Sequence, residues 1–355
     1  MNSNYKLFSV ETNIEPESIA VSHDKNLSDV MDVYSLPQPD KVTSLSKRNP
    51  LSEIYRSDTD AGAYILRRAT PDSGEQLELQ CAILHKLSDG LSIRPLRNKK
   101  NKYVTFTDGI CWVCYPMVPG LQYDGDHTKL SYMLKKAIQL CSELQNIYDA
   151  DSGVRNLKKL SYAPENWSAM WAWIFGEPIS DFHATLQASL PASLKQNISS
   201  ARAIFTESLD QSCELPVNYT LVHYDLQHAN IISGKNGSIT FIDLEDIYLS
   251  DTRLALYHGV FKWIRHSIYM NSDYLPDAIR WLKHDCLRIL SDEFGRSHST
   301  DEIYRYVIFR TLSDIYNLMD SVIRNGKVEY LYDLEKKLSN MLEIYTLFSV
   351  KRGGI

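Results

Sequence analysis

The sequence predicts an α+β protein of two lobes, in which a small antiparallel sheet is followed by a larger, mainly helical part. The first observation is the alternation, between residues 41 and 116, of short strand-like runs with clusters of turn-forming residues. The second is the recurrence of apolar residues at helical spacing beyond residue 117. A length of 355 residues also suits two lobes. We therefore divide the chain into an N-terminal extension (1–40), a strand-rich lobe (41–116) and a helical lobe (117–355).

The strand-rich lobe is predicted to contain five strands and one helix. The strands are expected at residues 42–46, 52–56, 63–68, 103–106 and 110–115. The helix is expected over residues 74–87, where Leu77, Cys81 and Leu84 recur every three or four positions. A further short helix over residues 27–36 precedes this lobe and ends before Pro37.

The helical lobe shows a regular succession of amphipathic segments. Asp126 is expected to cap a helix whose apolar face runs from Leu130 to Tyr148. A stripe of residues at i, i+3, i+4 and i+7, from Trp167 to Ile174, is expected to face the core rather than a substrate pocket. Later helices are predicted over residues 252–270, 275–293, 301–324 and 328–348.

Composition and charge restrict the function. The chain is 44% hydrophobic and 23% charged, as in ordinary globular proteins. Its formal charge of −6 argues against non-specific binding to nucleic acid and is compatible with a cationic small-molecule substrate. The basic stretch at residues 94–102 has no interleaved aromatic residues, so we interpret it as a solvated hairpin end.

Targeting signals and cysteine usage point to a cytoplasmic protein. The chain contains no apolar run of eighteen residues and no secretory signal pattern, so no association with a membrane is expected. Six cysteines do not make a disulfide scaffold. Cys111 and Cys114 would point to opposite faces of one strand, which favours buried thiols over a zinc or redox pair. The sequence does not predict an oligomeric state.

The motif that carries chemistry lies between residues 223 and 243. The sequence H-Y-D-L-Q-H-A-N runs from His223 to Asn230 and is followed by Asp243. Residues 230–242 are predicted to form a hairpin around an Asn-Gly turn, which would return Asn230 to the neighbourhood of Asp243. An acid, Asp225, that accepts a hydroxyl hydrogen, beside an amide and an acid that hold Mg²⁺, is the arrangement that phosphoryl transfer to a hydroxyl requires.

This H-x-D-x-x-x-x-N motif with a following Ile-Asp pair resembles the catalytic core of the aminoglycoside phosphotransferase and choline kinase-like family. The resemblance extends over residues 40–325 and is strongest at 221–246. It implies the bilobal protein-kinase-like fold and transfer of the γ-phosphoryl group of ATP, or of GTP, to a hydroxyl of a small molecule. An aminoglycoside-type antibiotic, an amino alcohol, an amino sugar and a sugar are all acceptors that the resemblance allows.

The resemblance also implies roles for individual residues. Asp225 would position or deprotonate the acceptor hydroxyl, and His223 would brace the catalytic loop. Asn230 and Asp243 would hold Mg²⁺. His228, within the loop, is given no role.

Nucleotide contacts are implied in the strand-rich lobe. Arg67 would bind the phosphates, and residues 46–51 would cover them. The segment that contains Tyr115 and Met117 resembles the hinge between the lobes, where the backbone would bind the adenine edge. Whether Glu245 and Asp246 complete the surroundings of the ion or meet a cationic substrate is left open.

Three departures from the family pattern concern supporting positions. Arg67 stands where the family has a lysine, although arginine keeps its charge and can fork onto phosphate oxygens. The glutamate expected to pair with this cation aligns with Gln80, and Glu78 is two positions out of register. The family's supporting Asp-Leu-Ala triplet is replaced by one that begins at Arg253, for which Asp251 could compensate.

Other interpretations remain beside that of a small-molecule kinase. A binding or regulatory protein on an inactive kinase scaffold is the main alternative, and a peptide or protein kinase is another. A metallohydrolase that uses His223, Asp225 and Asp243 would need more histidines and would leave Asn230 unexplained. Residues 233–238 lack the first glycine and the final Ser or Thr of a P-loop.

Overall fold

The computed structural model describes residues 25–45, 54–69, 74–160, 218–243, 246–325 and 330–349, together with the isolated helical positions 196, 199, 200 and 202. The stripe predicted from Trp167 to Ile174, the predicted phosphate-covering loop at 46–51, and Glu245 lie outside these residues.

The strand-rich lobe is one antiparallel sheet of five strands. Their order across the sheet is β1–β2–β3–β5–β4, so the last two strands in sequence exchange places in space. The strands are β1 (Lys41–Ser44), β2 (Ile54–Thr59), β3 (Gly62–Ala69), β4 (Val104–Thr107) and β5 (Ile110–Pro116). In the pairing of β3 with β5, Arg67 lies opposite Val113 and Ile65 lies opposite Tyr115. The five predicted strands are therefore all present, with ends that differ by a few residues.

A helix packs on each face of this sheet. Helix α1 (Lys25–Val33) covers one face, where Leu27 and Met31 contact Leu66 and Cys114 within one buried cluster. Helix α2 (Gly74–Leu84) lies on the other face, which Cys111 shares. The two cysteines thus point to opposite faces, as the odd spacing between them predicts. Residues 25–34 of the predicted extension belong structurally to this lobe.

The helical lobe contains six described helices. These are α3 (Leu130–Ala150), α4 (Thr252–Met270), α5 (Leu275–Trp281), α6 (Leu287–Phe294), α7 (Thr300–Asn325) and α8 (Leu331–Ser349). A π-helical turn, Leu282–Cys286, joins α5 to α6. Asp126 caps the short 3₁₀ turn that leads into α3, because its side chain accepts from the Thr128 N–H. Helix α4 is buried on nearly every side and forms the centre of the lobe. None of the described helices combines the length and the apolar character that a membrane crossing demands.

Short strands carry the candidate motif between the two lobes. Strand β7 (Thr220–His223) pairs with β10 (Ile247–Ser250). Strand β8 (Ile231–Ser233) pairs with β9 (Ile239–Phe241), and β6 (Leu121–Gln122) adds to the other edge of β8. The turn between β8 and β9 contains Gly237 at a φ of +76°, a conformation that glycine adopts without strain. The predicted hairpin is present, and the Ile242 N–H donates to the Asn230 carbonyl at its open end (2.9 Å).

Candidate active site

Asp225 lies in the loop between β7 and β8, and two amides hold its carboxylate. Gln227 Nε2 donates to Asp225 Oδ2 (2.7 Å), and Asn230 Nδ2 donates to the same oxygen (3.1 Å). Asn230 Nδ2 also donates to the Asp225 carbonyl (2.9 Å). Because both amides bind Oδ2, the other carboxylate oxygen is the one left to accept from a further donor.

His223 lies at the end of β7, where it is 1% exposed. Its Nδ1 accepts a long hydrogen bond from the Asp225 N–H (3.4 Å). Burial lowers the pKa of His223, against the opposing effect of the Asp225 and Asp243 carboxylates. A neutral, buried imidazole bonded to the loop backbone is suited to hold the loop, the role that the family resemblance implies.

Asp243 and Asn230 are brought together at the open end of the β8–β9 hairpin. Asp243 has a φ of +60°, a left-handed conformation that aspartate tolerates better than most residues. Asn230 is 6% exposed, and because its Nδ2 is the atom that donates to Asp225, its Oδ1 is the atom that could ligate a cation. Among the described residues, no three His, Cys, Asp or Glu side chains form a metal cage. Mg²⁺ is nevertheless commonly bound by one or two protein oxygens, with phosphate and water oxygens completing its coordination shell.

Arg67 of β3 forms an ion pair with Asp243 across the two lobes. Both side chains are partly exposed, at 22% and 32% respectively. The two candidates for the family glutamate have other contacts. Glu78 accepts from the Tyr103 and Val104 N–H groups (3.0 and 2.8 Å), and Gln80 Nε2 donates to the Ile247 carbonyl (2.9 Å). Glu78 therefore caps the N-terminal end of β4, and within the described residues Asp243 is an acid that pairs with Arg67.

A cleft of about 370 Å³ lies between the lobes, in the size range of small-molecule sites. Its polar members are Arg67, Gln122, Asn230 and Asp243. The apolar walls come from both lobes: Leu45, Ile54, Ile65, Ile93, Tyr115, Met117, Val118, Ala229, Ile232 and Ile242. The two predicted nucleotide contacts, Tyr115 and Met117, thus line the same cleft as Arg67 and the two predicted metal ligands.

The backbone of the hinge-like segment divides its polar groups between the sheet and the cleft. The Met117 N–H donates to the Ala63 carbonyl (2.9 Å), so this amide extends the ladder with β3. Alternation along an antiparallel strand directs the Pro116 carbonyl away from β3. The Cys114 carbonyl, which points to the same side, accepts from the Leu96 N–H (2.8 Å). By this alternation, the Pro116 carbonyl and the Val118 N–H are the backbone groups near the cleft that point away from β3.

Asp246 is a third carboxylate at this site, which the motif alone left without a role. Burial, and then the neighbouring Asp243 and Asp225 carboxylates, together raise the pKa of Asp246 to about 6. The Tyr248 hydroxyl donates to Asp246 Oδ1 (3.3 Å), and the Asp246 carbonyl accepts from the Tyr224 N–H (2.8 Å). The electrostatic coupling places Asp246 in the same acidic cluster as the two motif acids.

Asp251 does not replace the missing support of the catalytic loop. Its carboxylate accepts from the Asn218 N–H (2.9 Å) and from the backbone and guanidinium of Arg253. These contacts cap α4 and fix the residues that precede β7. The suggestion that Asp251 takes over the supporting role at residues 223–230 was wrong, because its carboxylate instead caps α4 and binds Arg253 and the Asn218 N–H.

Two residues distant in sequence support the loop, and sequence analysis missed both. Arg310 of α7 donates from Nη1 to the Tyr224 carbonyl (2.5 Å) and lies over the Tyr224 ring, 3.6 Å from its centroid. Gly259 of α4 lies so close to Leu226 that an added Cβ would be 2.9 Å from the Leu226 Cβ. Neither residue has a local pattern that would mark it, because both contacts depend on how α4 and α7 pack.

His228 lies inside the loop and is 8% exposed. Its ring stacks on that of His266 from α4, with centroids 3.8 Å apart and an interplanar angle of 8°. His266 Nε2 in turn lies 3.2 Å from the Tyr123 carbonyl. These contacts give His228 a packing role against α4.

Solved structures share this fold over nearly the whole chain. Spectinomycin phosphotransferase APH(9)-Ia, in complex with ADP and spectinomycin, has a TM-score of 0.59 at 14% identity, covering 93% of this chain and 99% of that one. The amicoumacin kinase hAmiN, in complex with AMP-PNP, Ca²⁺ and Ami, has a TM-score of 0.55 at 14% identity, covering 91% of this chain and 94% of that one. A thermostable mutant of aminoglycoside phosphotransferase APH(4)-Ia, with ADP and hygromycin B, has a TM-score of 0.51 at 13% identity, covering 92% and 98%.

These identities are low, so the structures establish the two-lobed fold alone. No curated protein sequence matches the chain. The model of the phosphotransferase enzyme family (APH), by contrast, matches residues 49–253, more than half of the chain. This match contains β3, the hinge-like segment and the whole motif from His223 to Asp243. The protein therefore belongs to the phosphotransferase enzyme family and has its protein-kinase-like fold.

Proposed function

We propose that this protein transfers the γ-phosphoryl group of ATP to a hydroxyl group of a small molecule. The observation that carries the proposal is that Arg67, Asn230 and Asp243 line one cleft between the lobes, and that Asn230 is hydrogen-bonded to Asp225. Phosphoryl transfer depends on positioning and on stabilising charge, and these residues offer a cation and carboxylates for both.

The nucleotide fits the cleft with its adenine between the apolar walls. Ile65 of β3 and Ile232 and Ile242 from the β8–β9 hairpin offer surfaces for the two faces of the base. The Pro116 carbonyl can accept from the adenine amino group, and the Val118 N–H can donate to a ring nitrogen. Arg67 would then meet the phosphates, where its planar guanidinium can bind two oxygens at once.

A divalent cation fits the donor set of Asn230 and Asp243. Both side chains offer hard oxygen atoms, and Mg²⁺ prefers such ligands together with phosphate oxygens and water. When bound, the ion would neutralise charge on the phosphates. Because Asp243 is paired with Arg67 in the ligand-free protein, binding of the triphosphate to Arg67 would release Asp243 for the ion.

In the transfer step, Asp225 accepts the hydrogen of the acceptor hydroxyl through the oxygen that Gln227 and Asn230 leave open. The hydroxyl oxygen forms a bond to the γ-phosphorus while the bond from that phosphorus to the β–γ bridging oxygen breaks. The proton goes to the Asp225 carboxylate, and ADP leaves with the bridging oxygen. His223 stays neutral and holds the loop.

The acceptor is proposed to be a small hydroxylated molecule that carries positive charge. Three carboxylates, Asp225, Asp243 and Asp246, lie at the site, and the chain has a formal charge of −6. The related structures hold spectinomycin, hygromycin B and amicoumacin, so aminoglycoside-type and similar antibiotics are the first acceptors to test.

The test couples ADP release to a screen of hydroxylated antibiotics, amino alcohols, amino sugars and sugars, with ATP and GTP each supplied with and without Mg²⁺. We expect metal-dependent turnover with ATP that at least one acceptor accelerates, and a phosphorylated product by mass spectrometry. Binding of Mg²⁺-ATP without turnover under any condition would instead identify an inactive, nucleotide-binding member of the family.

A further inference from the structure

Tyr224, the residue that precedes Asp225, is held by contacts with Asp246, Arg310 and Tyr248. The Tyr224 N–H donates to the Asp246 carbonyl (2.8 Å). The Tyr224 carbonyl accepts from Arg310 Nη1 (2.5 Å), and the Tyr224 ring lies under the Arg310 guanidinium at 3.6 Å. The same ring meets Tyr248 edge-on, with centroids 6.4 Å apart. Tyr224 thus joins the Asp225 loop to β10 and to α7.

The contact with the Tyr224 carbonyl bears directly on Asp225. The carbonyl of residue 224 and the N–H of residue 225 belong to one planar peptide group, so fixing the first fixes the direction of the second. That N–H is the group that meets His223 Nδ1. A change in the tilt of this peptide would therefore move the Asp225 side chain relative to Gln227 and Asn230.

Arg310 has the properties of a rigid support. It is 3% exposed and lies on α7, a helix of 26 residues. A hydrogen bond from a charged donor is roughly twice as strong as one between neutral groups. A desolvated cation over an aromatic ring adds a further electrostatic attraction. Together these contacts bind backbone and side chain of one residue with a single guanidinium.

We propose that Arg310 is a positioning residue of the phosphotransferase, which acts through the Tyr224 peptide to set the orientation of Asp225. It supplies from α7 the loop support that the sequence lacks at Arg253. The inference rests on the proposed role of Asp225 at the acceptor hydroxyl. Arg310 is not among the residues that line the cleft.

The principal variants are Arg310→Met, which keeps much of the volume, and Arg310→Lys, which keeps the charge but not the planar fork. We expect kcat to fall on the order of 100-fold in both, as misplacement of a reacting group by about 1 Å does. The KM for ATP should stay within a few-fold, since Arg67 and the cleft are unchanged. A purely structural role would lower the amount of folded protein without changing kcat per folded molecule.

Further variants separate the contacts. Tyr224→Leu removes the stacking surface and should lower kcat. Arg265→Lys is the matched control, because Arg265 is equally buried (2% exposed) but pairs with Glu343, away from the loop. In Arg310→Ala, added guanidinium should restore part of kcat, and an equal concentration of sodium chloride should not.

Hydrogen exchange gives a readout that does not need turnover. Amides of residues 223–230 should exchange faster in Arg310→Met than in wild type, and at the wild-type rate in Arg265→Lys. Wild-type kcat together with unchanged exchange in the Arg310 variants would overturn the inference while leaving the proposed function intact. Faster exchange in a protein whose wild type shows no turnover would instead remove the proposed function and retain Arg310 as the support of the loop.

Discussion

Replacing Asp225 with asparagine tests the proposed chemistry with little change in shape. In the wild type, Asp225 Oδ2 accepts from two amide groups, Gln227 Nε2 at 2.7 Å and Asn230 Nδ2 at 3.1 Å. An asparagine amide nitrogen in that place would face two donors, so the side chain must turn its carbonyl oxygen toward them. Its NH₂ group then occupies the other position, where the acceptor hydroxyl needs a hydrogen-bond acceptor.

The magnitude follows from this geometry. The Asp225→Asn variant keeps both supporting hydrogen bonds and loses only the oxygen that would take the proton. We expect kcat to fall roughly 10²- to 10⁴-fold, the usual contribution of a positioned general base. That fall corresponds to about 2.7–5.4 kcal/mol in activation free energy. The affinity for Mg²⁺-ATP should remain within a few-fold of the wild-type value.

The assay is ADP release by a coupled reaction, with an acceptor from the screen, beside calorimetric titration of Mg²⁺-ATP. The Asp225→Ala variant serves for comparison, since it removes the carboxylate that Gln227 and Asn230 bind, leaves Asn230 only the backbone carbonyl of residue 225, and should lose stability as well as turnover. If Asp225→Asn turned over at a rate within a few-fold of wild type, Asp225 would not be the group that receives the proton.

Three other predictions address separate parts of the molecule. Asp243→Asn, in which asparagine also tolerates the left-handed backbone, should weaken Mg²⁺-nucleotide binding by about 10- to 100-fold, and calorimetry that finds the metal dependence unchanged would contradict the assignment. Between about pH 3.8 and pH 6, Asp246 keeps its proton in the folded protein, whereas an ordinary aspartate in the unfolded chain loses it. The free energy of unfolding of the wild type should therefore fall as the pH rises through that window. The difference between these two pKa values corresponds to roughly 3 kcal/mol, and urea unfolding should show that difference against Asp246→Asn between pH 4 and pH 7, whereas parallel curves would refute it. Met31→Ala on the buried face of α1 should cost about 2–5 kcal/mol in unfolding free energy, while the exposed control Asp29→Ala should stay within about 0.5 kcal/mol.

The fold class and the candidate site could be predicted because both depend on patterns of residues that lie close together in the sequence. The Asn-Gly turn and the alternating residues around it predict the β8–β9 hairpin, and that hairpin alone brings Asn230 to Asp243. The helices of the second lobe follow from apolar spacing, and their observed ends agree with the predicted ends to within a few residues.

The supports of the site could not be predicted in this way. Arg310 is 86 positions from Tyr224, and nothing in the sequence near either residue indicates that α7 places a guanidinium on that ring. In the sequence, Gly259 is marked only by the low helix propensity of glycine, and its close packing against Leu226 is apparent only in the structure. Asp251 was assigned wrongly for a related reason, since distance along the chain is a poor guide to which backbone group a buried carboxylate meets.

The ion pair between Arg67 and Asp243 has a thermodynamic consequence for how the site fills. In the proposed function the triphosphate binds Arg67 and the divalent cation binds Asp243, so whichever ligand arrives first would separate the pair, and the second would find its partner already released. Because both ligands share the free-energy cost of separating the pair, binding of the nucleotide and binding of the cation would be cooperative, and each would raise the affinity for the other by the same factor. On the proposed function, the ligand-free site would therefore disfavour a bare metal ion and a metal-free nucleotide alike, and would select the complex of the two.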